Sequence, residues 1–86
     1  MLVIVPSPLH AYTEGLSRVE ARGDTLAEVL EDLDRRHPGL RFRVVDEQGA
    51  IRPHIRFFVN REAALTLDQP LSPRDELLIV AALSGG

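Results

Sequence analysis

Apolar and polar positions along the chain follow several distinct periods. Leu2-Val3-Ile4-Val5 is an unbroken, mostly β-branched run closed by Pro6-Ser7-Pro8, which predicts a short strand buried on both faces. Between residues 9 and 17 the one turn signal is Thr13-Glu14-Gly15, and Arg18-Val19-Glu20-Ala21 then alternates like the return arm of a hairpin. Arg22-Gly23 breaks that alternation. Thr25-Leu26-Ala27-Glu28 has the spacing in which a hydroxyl and a carboxylate satisfy free backbone N–H groups at a helix start. Leu26, Val29, Leu30 and Leu33 follow at i, i+3, i+4 and i+7. Glu28, Glu31, Asp32, Arg35 and Arg36 fall on the other, solvated face. On that face Glu31 and Arg35, and Asp32 and Arg36, stand at ion-pair spacing. His37-Pro38-Gly39 ends the helix, because proline disfavours helical geometry in the residue before it.

From Leu40 the period is two. Leu40, Phe42 and Val44 alternate with Arg41 and Arg43, which predicts a strand or a short irregular arm, and Asp46-Glu47-Gln48-Gly49 turns the chain. Ile55-Arg56-Phe57-Phe58-Val59 is a clearer strand, with Ile55, Phe57 and Val59 on one face and Arg56 and Phe58 on the other. Asn60-Arg61-Glu62 makes a turn, Leu65 and Leu67 a short edge strand, and residues 68–75 a polar connection with two prolines. Glu76 to Ala81 is a final apolar strand. One helix cannot cover a sheet twice. The order therefore predicts an α+β fold: a mixed four- to five-stranded β-grasp sheet with one main helix across one face. A hairpin first would let the helix return the chain to a parallel neighbour. Residues 1–81 form the single domain, and residues 82–86 a flexible tail.

Composition removes whole classes of chemistry. The 86 residues include no cysteine, so a disulfide framework, a zinc knuckle and a thiol nucleophile on this chain are all excluded. All ten basic residues are arginine, so no lysine can form a Schiff base or hold a nucleotide phosphate. The formal charge of −3 argues against nucleic acid as partner, since phosphates reward a clustered basic surface. No apolar stretch approaches the roughly 20 residues that span a bilayer. The opening Met1-Leu2-Val3-Ile4-Val5-Pro6 lacks the basic region and small-residue cleavage site of a secretory signal, which predicts a cytoplasmic protein without membrane attachment.

The remaining candidate constellations have plain structural readings. His10, His37 and His54 lie in three different segments without the close spacing of a ligand pair, so no metal site is expected. Glu28, Glu31, Asp32 and Asp34 are read as a solvated helix face rather than paired catalytic carboxylates. Arg41, Arg43, Arg52 and Arg56 could form an anion site or docking surface, or simply face water from a strand. Ser7, Ser17, Ser72 and Ser84 lack the strand-to-helix elbow that exposes a nucleophile. No catalytic residue is expected on this chain.

Gly85-Gly86 differs in kind. The pair follows the last predicted strand after only Ala82-Leu83-Ser84, and about five extended residues reach roughly 17 Å, enough to enter a partner's active site. A carboxylate must be activated before it reacts, and adenylation encloses both nucleotide and carboxylate. Two residues without Cβ atoms can thread such a channel and adopt whatever backbone angles attack requires. Leu83, Ser84, Gly85 and Gly86 are therefore the candidate reactive tail. Strand alternation sends Leu77 and Ile79 toward the helix and leaves Phe58, Leu78 and Val80 on the opposite face. Apolar residues beside a reactive tail form a docking patch.

Taken in order, Thr25-x-x-Glu28-x-Leu30, His37-Pro38-Gly39-Leu40, Phe58-Val59-Asn60, Leu67-Asp68-x-Pro70-Leu71, Asp75-Glu76 and Leu83-Ser84-Gly85-Gly86 resemble the small ubiquitin-fold sulfur carriers of the MoaD/ThiS group. The resemblance spans essentially the whole chain. Pro6-Ser7-Pro8-Leu9 and the long segment 40–54 are nearer in pattern to the cysteine-synthesis, CysO-like branch than to the short molybdopterin synthase subunits. The chain departs from many relatives in Ala81-Ala82-Leu83-Ser84, which carries no proline. The resemblance implies a ubiquitin-like β-grasp and a carrier that is no enzyme. In that family an adenylating enzyme of the ubiquitin-activating type uses ATP on the C-terminal glycine, here Gly86, and a sulfur donor displaces AMP to leave a thiocarboxylate. It further implies a sulfur-acceptor enzyme, such as a cysteine synthase or a molybdopterin synthase large subunit, no cofactor bound to the chain itself, and a free monomer. The alternative is a ubiquitin-like modifier conjugated through the terminal glycine to target lysines.

Overall fold

The computed structural model describes residues 1–82. Five strands, Leu2–Ile4 (β1), Arg18–Glu20 (β2), Ile55–Val59 (β3), Glu62–Ala64 (β4) and Glu76–Ala81 (β5), form one mixed sheet in the order β2-β1-β5-β3-β4. β1 runs antiparallel to β2 and parallel to β5, and β3 runs antiparallel to both β5 and β4. The predicted hairpin, central helix and final strand are all present. The parallel partner of the hairpin is not the strand after the helix, however, but the last strand of the chain. β5 is the longest strand and apolar after Glu76, and the central place buries it between two neighbours.

Helix α1 (Leu26–Arg36) packs Leu26, Val29, Leu30 and Leu33 onto the sheet, where they join Val3, Val19, Ile55, Phe57, Leu77 and Ile79 in one core. Its start is held as the sequence predicts, with the Glu28 N–H donating to Thr25 Oγ1 at 3.2 Å. The Glu28 carboxylate reaches one residue further back than expected and accepts from the Asp24 N–H at 2.9 Å. A 3-10 helix over Ser7–Tyr12 occupies the segment where the sequence showed only a turn.

Three expectations are corrected. Leu40–Val44 forms a short helix, α2, and not a strand. Gly39 at φ +95° turns the chain sharply into it, and Asp34 Oδ1 accepts from the N–H groups of Gly39 and Arg41. Leu40 and Val44, at i and i+4, are buried, and Phe42 is left outside. Second, the edge strand is Glu62–Ala64, while Leu65 is exposed and Leu67 lies in a loop. Asn60 and Arg61, at φ 49° and 75°, make a two-residue turn that pairs Val59 with Glu62 and so starts the strand earlier. The following loop is recruited by the helix instead: the carbonyls of Leu67 and Gln69 accept the otherwise unpaired N–H groups of Ala27 and Leu26. Third, β1 is buried on one face only. Val3 is fully buried, while Leu2 and Ile4 are half-buried on the face turned away from α1.

Candidate functional site

β5 sends its side chains alternately through the sheet. Leu77 and Ile79 are buried against α1, and Leu78 and Val80 emerge half-buried on the far face. The ladder fixes their neighbours. Leu78 lies opposite Ile4 of β1 on one side and Phe58 of β3 on the other, and Phe58 lies opposite Ala63 of β4. Ile4, Leu78, Phe58 and Ala63 thus form one row across four strands. The next row toward the end of β5 holds Val80 opposite Arg56, and the row at its beginning holds Leu2 between Glu20 and Glu76. The outer face is apolar along its middle and charged at its borders, the usual make-up of a contact surface.

The structure places Phe58, Leu78 and Val80 together on this face, and adds Ile4 and Ala63. Those two escaped the sequence reading because Leu2 to Val5 is uniformly apolar and Ala63 is too small to mark a face. Leu83, Ser84, Gly85 and Gly86 lie outside the described residues. Ala82, the last described residue, donates its N–H to the His54 carbonyl at 2.8 Å, so the described chain ends two residues beyond Val80 and beside the start of β3.

The other candidates are not brought together. His10 sets Nε2 2.8 Å from the Val5 carbonyl, His37 caps α1, and His54 is exposed beside the end of β5. Among the described residues no group of three or more His, Cys, Asp or Glu side chains could hold a metal ion. Asp32 corrects the solvated-face reading, because it is buried. Its carboxylate accepts from the Arg22 N–H at 2.8 Å, Arg36 Nε at 2.8 Å and Arg35 Nη2 at 3.0 Å, so Arg35 pairs with Asp32 and not with Glu31. The Arg22 N–H is the main cause holding this carboxyl below the usual aspartate range; burial opposes it, and the two arginines add to it. Of the four arginines, Arg52 and Arg56 line one hollow, whereas Arg41 and Arg43 sit on α2, with Arg41 Nε buried without a partner. No helix among the described residues is long and apolar enough to cross a membrane.

Residues 3–86 match the ThiS family. The chain belongs to that family. As a ThiS-family member with a ubiquitin-like β-grasp, it is a sulfur carrier and not an enzyme. It is 30% identical over 89 residues to the sulfur carrier protein CysO of Mycobacterium tuberculosis, covering 98% of this chain and 96% of that protein. A chain of the crystal structure of the Amycolatopsis orientalis BexX/CysO complex superposes with a TM-score of 0.90 at 33% identity, covering 99% of this chain and 98% of that one. Small archaeal modifier protein 1 of Haloferax volcanii is also similar, at 37% identity over 70 residues, covering 80% of this chain and 79% of that protein. Its crystal structure superposes with a TM-score of 0.80 at 32% identity, covering 100% of this chain and 98% of that one. The ThiS-family match runs through the terminal Gly85-Gly86 pair.

Proposed function

We propose that this ThiS-family carrier transports sulfur as a thiocarboxylate on Gly86, and that it docks through the outer sheet face to the enzymes that load and unload it. Adenylation joins the Gly86 carboxylate to the α-phosphate of ATP and releases pyrophosphate. Hydrosulfide then attacks the acyl carbon, AMP leaves, and the thioacid loses its proton to give the thiocarboxylate. ATP belongs to the activating partner, an enzyme of the ubiquitin-activating type, and the carrier itself needs no bound cofactor. The reactions are cytoplasmic, and the free carrier is a monomer.

The observation that carries this reading is the row Ile4-Leu78-Phe58-Ala63, which no other described element covers on the sheet face away from α1 and which Val80 continues toward the end of β5. A carrier without catalytic groups needs such a surface, because orientation of its terminus is the one contribution it can make to the reaction. Similarity to CysO proteins along nearly the whole chain supports a cysteine synthase as the sulfur acceptor, ahead of a molybdopterin synthase large subunit. Incubation with the adenylating enzyme, ATP and sulfide should raise the intact mass by roughly 16 Da, the exchange of one oxygen for sulfur. An unchanged mass with AMP formation absent would refute it.

The second reading, conjugation of Gly86 to target lysines, is favoured by the similarity to small archaeal modifier protein 1. It shares the acyl adenylate and differs in the attacking group, an amine in place of hydrosulfide. Denaturing affinity capture from the native cell separates the two: ladders of higher mass support conjugation, and a single thiocarboxylated species supports the carrier role alone.

A further inference from the structure

Arg52 and Arg56 hold guanidinium groups that are fixed in place by backbone carbonyls and not by a direct ion pair. Arg56 Nη1 donates to the carbonyls of Pro53 at 2.8 Å and Ile55 at 2.9 Å. Arg52 Nε donates to the Phe42 carbonyl at 2.8 Å, and its guanidinium carbon lies 4.7 Å from the centre of the Phe42 ring. Carbonyls and an aromatic face position a guanidinium while leaving its charge intact. Among the described residues the ion pairs within 4 Å involve Arg35 and Arg36 with Asp32, and the Met1 amino group with Glu20; Arg52 and Arg56 are in none of them, although the Asp46 carboxylate is near enough to feel the charge of Arg52. The ordering that a flexible arginine must undergo on binding is here already in place.

Both residues line one open hollow of about 360 Å³ with Ile51, Pro53 and Leu65. It exists because β4 is short: β4 pairs with Phe57 to Val59 and leaves Ile55 and Arg56 without a neighbour on that side. Leu65, at its border, is 80% exposed. The hollow stands beside the end of β5, where Arg56 lies opposite Val80 and Ile55 opposite Ala81. At the other end of β5 the outer face carries Glu20 and Glu76 around Leu2. Arg52 and Arg56 therefore set two positive charges beside the end of β5.

We propose that this hollow receives an acidic segment of the enzyme that accepts the tail, with its carboxylates on Arg52 and Arg56 and an apolar side chain against Leu65 and Ile51. This rests on the carrier reading above, in which the tail enters a partner. A guanidinium offers carboxylates paired, parallel hydrogen bonds, so the contact sets orientation as well as attraction. Together with Glu76 at the far end, where Glu20 is paired with the Met1 amino group, it gives the outer face a direction: a partner rim that is acidic beside its channel is favoured one way round.

The test compares Arg52→Glu/Arg56→Glu, Arg56→Gln, Glu31→Arg and Phe58→Ala in the full chain, reading the KM for carrier in pyrophosphate exchange by the adenylating enzyme. The double reversal should raise KM about tenfold at low salt, and the difference should shrink to about twofold near 0.5 M salt. Arg56→Gln, which removes the charge and keeps a polar side chain, should raise it a few-fold, and Glu31→Arg, on the exposed side of α1 away from the outer face, should leave it within about twofold. Folded arginine variants with unchanged KM, beside a Phe58→Ala variant whose KM rises, would overturn the hollow and leave the docking face standing. Failure of the carrier reading shows separately, as no exchange with the parent chain. A second arm titrates the isotope-labelled parent chain with ATP alone. Saturable shifts at Arg52 and Arg56, with enzyme affinity unaltered in the variants, would assign the hollow to nucleotide phosphate and overturn the acidic segment.

Discussion

Phe58 lies directly opposite Leu78 on the outer face and is half-buried, while its neighbour Phe57, opposite Ile79 on the inner face, is 1% exposed. Two adjacent phenylalanines thus answer to different forces. Phe57→Ala empties a site enclosed by α1 and the sheet and should cost about 3–5 kcal/mol, a large part of the stability of so small a domain. Phe58→Ala removes a ring already in contact with water and should cost about 1 kcal/mol. Its effect should appear in partner affinity, weakened roughly tenfold or more, as expected for an aromatic anchor near the centre of an interface. Urea unfolding of both variants, followed by binding measurements on the folded one, checks the split; equal losses of stability would contradict it.

Asp32 ties α1 to the segment entering it. Its carboxylate accepts the Arg22 N–H as well as both arginines of the last helical turn, and removal would leave that part-buried N–H without its partner. Asp32→Ala should destabilise the fold by about 2 kcal/mol. The bound form of this carboxyl is held below the ordinary aspartate range, so protons bind the unfolded chain more readily than the folded one. Its contribution is complete above about pH 4 and is lost as pH falls through the lowered value of the folded state. Asp46 and Asp75 are shifted the same way, first by the backbone N–H groups of Ala50 and Ser72 respectively. Stability measured by urea unfolding should therefore fall on acidification below about pH 4, and Asp32→Ala should flatten that dependence.

Helix α1 and strand β5 were legible in the sequence because periodicity, cap and burial agree there. Thr25 and the stripe Leu26-Val29-Leu30-Leu33 announce one element, and Glu76 to Ala81 another. The facing of Phe58, Leu78 and Val80 follows from strand alternation alone. What the sequence hid depends on contacts distant in the chain. Leu40 to Val44 alternates like a strand, yet Asp34 and the turn at Gly39 start a helix there, at a cost in exposure of Phe42 that Arg52 offsets by stacking. Asp32 looked like one more surface acid until the Arg22 N–H was placed against it. Ile4 joins the candidate docking row only because β5, the last strand, inserts beside β1, which no local pattern announces.

Arg61 adopts φ 75° at the second position of the turn between β3 and β4. A side chain with a Cβ atom is strained there, whereas glycine is not. Asn60 at φ 49° tolerates its own position better and is held by two contacts, Nδ2 to Asp75 and Oδ1 from the Glu76 N–H. Arg61→Gly should raise stability by about 0.5–1 kcal/mol, with the mass gain on activation unchanged because Arg61 lies outside the outer-face row. Thermal unfolding of the single variant decides this. A lower melting temperature would mean that the arginine side chain makes a contact worth more than the strain.

Gly23 stands where the chain passes under the start of α1. A Cβ atom there would lie 2.6 Å from the Val29 backbone N and 2.8 Å from the Glu28 backbone carbon, closer than such atoms approach. Both obstructing groups belong to the helix backbone, so neither can rotate aside, and relief requires shifting α1 relative to the sheet. Gly23→Ala should therefore destabilise by about 2 kcal/mol or more, although alanine would ordinarily stabilise a flexible connection. The same displacement would move Asp32 away from the Arg22 N–H, one residue before the glycine. Gly23→Ala and Asp32→Ala should then be less than additive, and a double-mutant cycle in urea reads that coupling directly. Full additivity would show that the two positions hold α1 independently.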